Sequence, residues 1–212
     1  MRPISRGALI VVEGIDRTGK STQCDLLVKS LQKRGQSAKL MKFPDRSTTI
    51  GKMIDSYLKK GCDLDDHAIH LLFSANRWEA NETMKKDLLN GTTLVIDRYA
   101  FSGVAYSSAK KGMDIEWCKK SDVGLPEPDV VMFLNLKAEE AQRRSGFGEE
   151  RYEKKDFQKQ VVDNFMALSN AGGRWVHVDA GGTIEDVSNT MTEIAQKTID
   201  QAKNSEIKKL WV

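Results

Sequence analysis

A glycine-rich segment that directly follows a short apolar run constrains this chain more than any other feature. Residues 14–21 read Gly-Ile-Asp-Arg-Thr-Gly-Lys-Ser and match the pattern G-x-x-x-x-G-K-[ST]. The apolar run at 8–12 predicts a buried parallel strand, and leucines at helical spacing after the motif predict a helix over 22–34. Between such elements, glycines let backbone N–H groups point at a phosphate, and the helix N-terminus favours the anion. The motif predicts nucleotide-phosphate binding without separating a kinase from a GTPase or an ATPase motor.

The order of the remaining elements predicts an α/β fold with a mostly parallel sheet. Further strands are predicted at 38–43, 92–96, 129–136 and 175–178, and further helices at 65–90 and 184–202. Asp65 or Asp66 is expected to cap the first of these helices. No linker or repeat divides the 212 residues, so we predict a single domain over 1–212 with an exposed lid at about 138–154. In a sheet of this kind, ligands bind at the carboxyl ends of the strands.

Composition argues against several other classes of protein. The net charge of +3 is too small for a typical nucleic-acid-binding face, and no apolar run is long enough for a signal peptide or a membrane span. The three cysteines have no metal-ligand spacing, which favours free thiols in a reducing compartment. We therefore expect an intracellular protein without nucleic-acid or membrane partners, and the sequence leaves cytoplasmic and nuclear addresses open.

Charged residues in and around the motif suggest phosphoryl transfer. Lys20 is expected to reach the β- and γ-phosphates, and Ser21 to bind Mg²⁺. Asp16 has two interpretations: it contacts a second substrate's sugar hydroxyl or a Mg²⁺-bound water, or it faces solvent. Arg17 either neutralises charge on the transferred group or is likewise a solvent-facing loop charge. Asp97, at the end of a predicted strand, either acts on Mg²⁺ through water or caps the next helix.

Arginines after other strands predict a second anion site. Arg46 and Arg98 follow predicted strands, and the predicted lid adds Arg143, Arg144 and Arg151. The planar guanidinium binds phosphate oxygens in pairs, which suits an enzyme that brings two polyanions together.

Phe73 and Arg77 are four residues apart and share one face of the predicted long helix. The ring of Phe73 can stack on a base, and the guanidinium can donate to a carbonyl oxygen at the base edge. Taken singly, Phe73 is more typical of a core residue and Arg77 of a surface residue, and the pair is of interest only because the second anion site needs a base pocket nearby.

With these residues in place, the chain resembles the thymidylate kinases of the eukaryotic type over nearly its whole length. The segments that carry the resemblance are residues 13–23, 43–48, 70–79, 97–106, 124–129 and 147–153. The resemblance implies a P-loop fold with a five-stranded parallel sheet, helices on both faces, a small mobile lid and a homodimer. It also implies the reversible transfer of the ATP γ-phosphoryl group to dTMP, with Mg²⁺, in dTTP synthesis.

The resemblance implies a role for each matching residue. Phe73 is expected to stack on thymine, Arg77 to read its exocyclic oxygen, and Tyr106 to help exclude ribonucleotides. The implied catalytic residues are Asp16, Arg17, Lys20 and Arg98, and the implied metal site is Ser21 with Asp97. The implied ATP-binding residues are Gly14, Arg17, Thr18, Gly19, Lys20, Ser21, Thr22 and Arg144. The implied dTMP-binding residues are Asp16, Phe43, Arg46, Phe73, Arg77, Arg98, Ser102, Tyr106 and Tyr152.

Three other functions compete with this interpretation. A deoxynucleoside kinase needs a carboxylate base to deprotonate a sugar hydroxyl and has less use for Arg46 and Arg98. A GTPase switch is disfavoured because the sequence contains no Asn/Thr-Lys-x-Asp guanine-reading motif. A catalytically silent nucleotide binder has no use for the full set of charged groups, and an assay separates it from an enzyme.

Overall fold

The computed structural model describes residues 5–136, 151–152 and 155–212, and this part of the chain forms one five-stranded parallel sheet with seven helices. The strands are β1 (Leu9–Glu13), β2 (Ala38–Lys42), β3 (Thr93–Asp97), β4 (Val130–Asn135) and β5 (Trp175–Asp179). The helices are α1 (Lys20–Lys33), α2 (Thr49–Leu58), α3 (Asp66–Leu89), α4 (Ala100–Ser108), α5 (Ile115–Lys120), α6 (Lys155–Asn170) and α7 (Ile184–Ala202).

The strand order β2-β3-β1-β4-β5 places β1 at the centre, with β3 on one side and β4 on the other. Every residue of β1 and β3 is buried, which agrees with strands covered on both faces. Helices α1 and α7 pack against each other, while α3 packs on α4, and α4 in turn on α6. The strand order changes direction at β1, because the chain continues to β2 and β3 on one side of it and to β4 and β5 on the other. In an open α/β sheet, a crevice forms at the carboxyl ends of the strands at such a point.

The five predicted strands and the three predicted helices are present, with ends that differ by no more than two residues. Helix α7 has the predicted bounds, and Asp65 rather than Asp66 caps α3 by accepting hydrogen bonds from the backbone N–H groups of His67 and Ala68. All three cysteines are free, as predicted. Helices α2, α4, α5 and α6 are absent from the sequence prediction.

Most of the predicted lid, including Arg143 and Arg144, lies outside the described residues. Within the described part of the chain, no helix combines the length and apolarity that a membrane crossing needs.

Candidate active site

The glycine-rich loop is shaped by positions that tolerate no ordinary side chain. Gly14 has a φ of 147°, and a Cβ atom there would lie 2.8 Å from the carbonyl oxygen of Leu134. Gly19 has a φ of 87° and precedes the first residue of α1. Lys20 is buried, and its Nζ donates to the carbonyl oxygen of Ile15 at 2.6 Å. The ammonium group therefore lies inside the loop, at the start of α1.

Ser21 and Asp97 meet beside this loop. The Ser21 hydroxyl donates to Oδ2 of Asp97 at 2.6 Å, and Lys42 Nζ lies 3.7 Å from the same carboxylate oxygen. Oδ1 of Asp97 is buried and has no hydrogen-bond partner in the described part of the chain. A hydroxyl beside a carboxylate oxygen with unused lone pairs is a suitable donor set for Mg²⁺. Asp97 makes no capping bond to α4, so the helix-cap interpretation is wrong.

No group of three or more His, Cys, Asp or Glu side chains among the described residues is arranged to hold a metal. Mg²⁺ usually takes one or two protein ligands and completes its shell with water and substrate phosphates. Ser21 and Asp97 thus fit the ion as a partial site that a nucleotide would complete.

A cleft of about 670 Å³ opens next to the loop at the carboxyl edge of the sheet. All nine residues predicted for dTMP binding line it, although they come from five separate segments of the chain. Its lining residues are Asp16, Phe43, Pro44, Arg46, Leu58, Phe73, Arg77, Arg98, Tyr99, Ser102, Gly103, Tyr106, Ser107 and Tyr152.

A second depression, which we call the loop pocket, shares a wall with the cleft. It is lined by Asp16, Arg17, Gly19, Lys20, Ser21, Thr22, Lys42, Phe43, Pro44, Arg46, Asp97 and Arg98. Five residues line both, namely Asp16, Phe43, Pro44, Arg46 and Arg98. Two ligands bound in the cleft and in the loop pocket would therefore meet at Arg98 and Asp16.

Asp16 and Arg98 form an ion pair at this meeting point. Nη2 of Arg98 donates to Oδ1 of Asp16 at 2.5 Å, while Tyr106 and Gln158 donate to Oδ2 at 2.9 Å and 3.1 Å. Burial works to raise the pKa of Asp16, but Arg98 and Lys20 outweigh it and hold that pKa below its usual value. Burial also opposes the charge on Arg98, yet Tyr106 and Asp16 raise its pKa. Both groups are therefore charged, and the solvent-facing interpretation of Asp16 is wrong.

Glu13, which the sequence analysis missed, holds the backbone around Arg98. Arg98 has a φ of 69°, and its N–H donates to the carbonyl oxygen of Val12 at 3.1 Å. The Glu13 carboxylate accepts the N–H groups of Tyr99 and Ser102 at 2.9 Å and 3.0 Å, and the Ser102 hydroxyl at 2.5 Å. It thereby caps α4, whose own N-cap residue Tyr99 makes no side-chain cap. Burial raises the pKa of Glu13.

Phe73 and Arg77 lie together at the far end of the cleft. Phe73 is half-buried and packs against the small apolar cluster of Ile54, Tyr57, Leu58 and Ile69. Arg77 is only 2% exposed, so the surface interpretation of this residue is wrong. Its guanidinium binds Asp122, which is fully buried. No local pattern in the sequence points to Asp122, because that residue is 45 positions away from Arg77.

The remaining predicted residues lie at the rims. Arg46 donates to Asp55 at 2.6 Å and lines both the cleft and the loop pocket. Arg17, with a φ of 67°, lines the loop pocket. Tyr152 stacks on Phe157 with ring centroids 5.3 Å apart. Arg144 lies outside the described residues.

Arg151, which the resemblance assigns to a lid over ATP, lies instead against the end of α2. Its Nη2 donates to Asp63 at 2.6 Å, its Nε donates to the carbonyl oxygen of Tyr57, and it does not line the loop pocket.

Comparison with known proteins gives a consistent result. A family model described as thymidylate kinase matches residues 12–191. A thymidylate kinase from Danio rerio is 50% identical, with 97% of this chain and 98% of the relative covered, and one from Homo sapiens is 48% identical with the same coverage. The solved structure of a thymidylate kinase from Candida albicans superposes with a TM-score of 0.86 at 40% identity, and covers 97% of this chain and 99% of its own.

Proposed function

This chain belongs to the thymidylate kinase family and transfers the γ-phosphoryl group of ATP reversibly to dTMP, giving dTDP and ADP for dTTP synthesis, and we propose how its residues carry out this reaction. The observation that carries the proposal is the continuity of the two pockets. The phosphate loop lies at one end, Phe73 and Arg77 lie at the other, and Arg98 with Asp16 lies between them.

The loop pocket binds the triphosphate of ATP. Backbone N–H groups from Gly14 to Thr22 and the start of α1 face the phosphates, and Lys20 contributes its charge. Thr18 keeps the loop closed, because its hydroxyl donates to the carbonyl oxygen of Ile15 at 3.1 Å. Ser21 and Asp97 would hold Mg²⁺, which neutralises phosphate charge when bound. The part predicted for Arg144 and the lid lies outside the described residues and stays a prediction.

The cleft binds dTMP with its base towards α3. Phe73 stacks on thymine, and Arg77 donates to its exocyclic oxygen. Tyr106, which also bonds Asp16, closes the sugar side, where a ribose 2′-hydroxyl would need space. Arg46 and Arg98 bind the phosphate, and Phe43, Ser102 and Tyr152 complete the wall.

Transfer needs alignment and charge neutralisation rather than a general base. An oxygen of the dTMP phosphate is already ionised near neutral pH and attacks the γ-phosphorus in line. Arg98, Lys20 and Arg17 surround the developing charge from three directions, and Asp16 keeps the Arg98 fork turned towards the shared wall. A deoxynucleoside kinase would need a free carboxylate base here, whereas Asp16 already accepts from Arg98, Tyr106 and Gln158.

We expect ADP release to depend on dTMP. A coupled assay with ATP and Mg²⁺ should offer dTMP, thymidine, dCMP, dGMP, AMP or no acceptor. Turnover with dTMP should exceed turnover with each of the others. Thymidine has no phosphate for the arginines, and among the nucleotides offered only dTMP is a pyrimidine with a carbonyl oxygen rather than an amino group at C4 for Arg77. Turnover with thymidine alone would assign a nucleoside kinase, and ADP release independent of any acceptor would leave only an ATPase.

The buried ammonium of Lys20 predicts a distinctive alkaline limit for ATP binding. Burial, followed by the charge of Arg98, lowers the pKa of Lys20 to about 8, so its charged form is present below that pH and is lost above it. We expect kcat/KM for ATP to fall above pH 8 by about tenfold per pH unit, since this parameter reports the free enzyme. The phosphates of bound ATP raise the pKa of Lys20, so kcat at saturating ATP should fall much less.

The matched control for this pH profile is Lys20→Arg, whose guanidinium stays charged throughout. This variant should lose the alkaline limb whatever its absolute rate. A wild-type profile of kcat/KM for ATP that stays flat to pH 9.5, with the fold intact by circular dichroism, would contradict the assignment.

We further propose that the chain acts as a single domain and as a homodimer in an intracellular compartment, the cytoplasm or also the nucleus. The dimer is supported by Leu71 and Trp78, which lie two turns apart on one face of α3 and are 48% and 38% exposed. The compartment is supported by the three free thiols.

A further inference from the structure

Arg77 is held by a rigid buried clamp that does not itself line the cleft. Its Nε donates to Oδ1 of Asp122 at 3.1 Å, and its Nη2 donates to Oδ2 at 2.6 Å. Asp122 is fully buried and accepts a further hydrogen bond from the Ser74 hydroxyl at 2.8 Å. Two parallel bonds to one carboxylate fix the plane of a guanidinium as well as its position.

Gly103 fixes the guanidinium from the opposite side. A Cβ atom at this position of α4 would lie 2.7 Å from Nη2 and 3.1 Å from Nη1 of Arg77, so the fork rests directly against the bare Cα. With Nε and one N–H of Nη2 engaged by Asp122, Nη1 has no protein acceptor among the described residues and is left to face the cleft. Asp122 thus selects which edge of Arg77 a bound base meets.

The same short segment, residues 118–122 at the end of α5, accepts hydrogen bonds from several side chains on one face of α3. His70 donates through Nε2 to the carbonyl oxygen of Cys118 at 2.9 Å, and Ser74 and Trp78 donate to the carbonyl oxygen of Ser121 at 2.9 Å and 2.8 Å. Together with Arg77, these α3 residues occupy positions i, i+4, i+7 and i+8, which lie on one side of a helix. Segment 118–122, in which Cys118 and Asp122 are buried, therefore supports the base end of the cleft through α3.

This support also sets the hydrogen-bond direction of Ser107, which lines the cleft. Burial lowers the pKa of His70 and favours the neutral ring; the carbonyl oxygen of Cys118 only accepts, so the one ring proton is on Nε2, and Nδ1 is a bare acceptor. The Ser107 hydroxyl must then give its single proton to Nδ1, from which it lies 2.8 Å away. Its lone pairs remain, and it can act towards a ligand only as an acceptor.

We propose that Asp122 is a positioning residue that determines specificity for the base. Together with the rest of segment 118–122, it makes Arg77 a fixed hydrogen-bond donor and Ser107 a fixed hydrogen-bond acceptor towards the base. A keto-imide edge, with a carbonyl oxygen beside an N–H, matches that pattern. An amino-pyrimidine edge, with an amino group beside a bare ring nitrogen, has the reverse pattern of donor and acceptor. Its amino group would face the donor at Arg77, and its ring nitrogen would face the acceptor at Ser107. The inference rests on the proposed orientation of dTMP with its base at Arg77.

Asp122→Asn is the direct test. The amide has the size of the carboxyl group but offers one acceptor and adds a donor, so it cannot hold both Nε and Nη2 of Arg77. We expect KM for dTMP to rise about tenfold or more, and the ratio of kcat/KM for dTMP over dCMP to fall about tenfold, which is the size of one lost hydrogen bond. KM for ATP and kcat at saturating dTMP should stay within about threefold of the wild type, because the phosphate end is unchanged.

Asp129→Asn is the matched control. Asp129 also binds an arginine through both oxygens, with Arg6 nitrogens at 2.8 Å and 2.6 Å, but it is 14% exposed and lies before β4 at the amino edge of the sheet. It should lose comparable stability without a change in KM for dTMP or in the dTMP/dCMP ratio. If the two variants change these two quantities equally, or if Asp122→Asn changes neither, the proposal is overturned.

Ser74→Ala keeps the test decisive if Asp122→Asn fails to fold. It leaves the Arg77–Asp122 pair in place and removes a hydroxyl whose single proton is shared between Oδ1 of Asp122 at 2.8 Å and the carbonyl oxygen of Ser121 at 2.9 Å. We expect KM for dTMP to rise about threefold with kcat unchanged, less than the full cost of one lost hydrogen bond because Asp122 still holds Arg77. An unchanged KM for dTMP in this folded variant would overturn the proposal. Wild-type protein without dTMP-dependent ADP release would instead refute the proposed function.

Discussion

Replacing Arg98 with alanine is expected to lower turnover by about 10²–10³-fold while the fold survives, which is the usual cost of removing one preorganised charge stabiliser. Arg98 is one of the few residues that line both the cleft and the loop pocket. Its Nη1 donates to Ser102 at 3.1 Å and its Nη2 to Asp16, so the fork already points at the wall where the two substrates meet. Without it, charge on the transferred group loses its nearest cation.

The fold should tolerate this change because the partners of Arg98 keep other contacts. Asp16 still accepts from Tyr106 and Gln158, and the backbone turn at residue 98 is held from β1. The measurement is kcat in the coupled ADP assay at saturating ATP and dTMP, with thermal unfolding alongside. Arg174→Ala, at the amino end of β5 where the side chain bonds Gln201, serves as the control. Turnover of Arg98→Ala within about threefold of the wild type would remove Arg98 from the catalytic residues.

The sequence predicted those parts of the site that are local in the chain. The phosphate loop, its strand and its helix occupy one continuous segment, so spacing alone shows how Lys20 and Ser21 lie relative to each other. Arg46 and Asp97 were identified because residues after parallel strands share one edge of the sheet. Phe73 and Arg77 were paired by helical spacing, and the structure brings both to the same cleft.

The groups that hold these residues were not predictable, because each acts across the fold. Glu13 caps a helix that begins at Ala100, and Asp122 binds an arginine from a different helix. Helix α4 was missed for a related reason. Its sequence contains Gly103, three serines and a valine, all weak helix formers, so its stability comes from the external cap and from packing rather than from propensity.

One of these hidden groups had a signal in the sequence. Glu13 ends a buried strand, as Asp97 does, and the same argument that made Asp97 a candidate applies to Glu13. The two carboxylates differ in what the fold then does with them. Asp97 keeps an unbonded oxygen beside Ser21, whereas both oxygens of Glu13 are used by Tyr99 and Ser102. An acidic residue at a strand end thus predicts a functional edge, but its hydrogen-bond partners decide between metal binding and support.

Removing the Glu13 carboxylate should therefore damage both stability and catalysis. Glu13→Ala leaves two buried N–H groups and a hydroxyl without their acceptor, each costing about 1–3 kcal/mol. Burying the Glu13 carboxylate is itself unfavourable, since burial raises its pKa, and removing the carboxylate recovers that cost and offsets part of the loss. We expect the free energy of unfolding to fall by about 3 kcal/mol, which for a chain of this size lowers Tm by about 10 °C. Turnover should fall as well, because the turn that carries Arg98 loses one of its two anchors to β1.

Glu13→Gln separates hydrogen bonding from charge at this position. The amide keeps an acceptor oxygen for the N–H groups of Tyr99 and Ser102, and the Ser102 hydroxyl can rotate to accept from the new amide N–H group. Urea unfolding should place this variant within about 1 kcal/mol of the wild type, since a fully buried charge is exchanged for a neutral group of equal size. If the glutamine variant is as unstable and as slow as the alanine variant, the negative charge itself supports the arginine turn. If the alanine variant unfolds like the wild type, the capping bonds do not hold α4, and the position of Arg98 must be fixed from the Asp16 side alone.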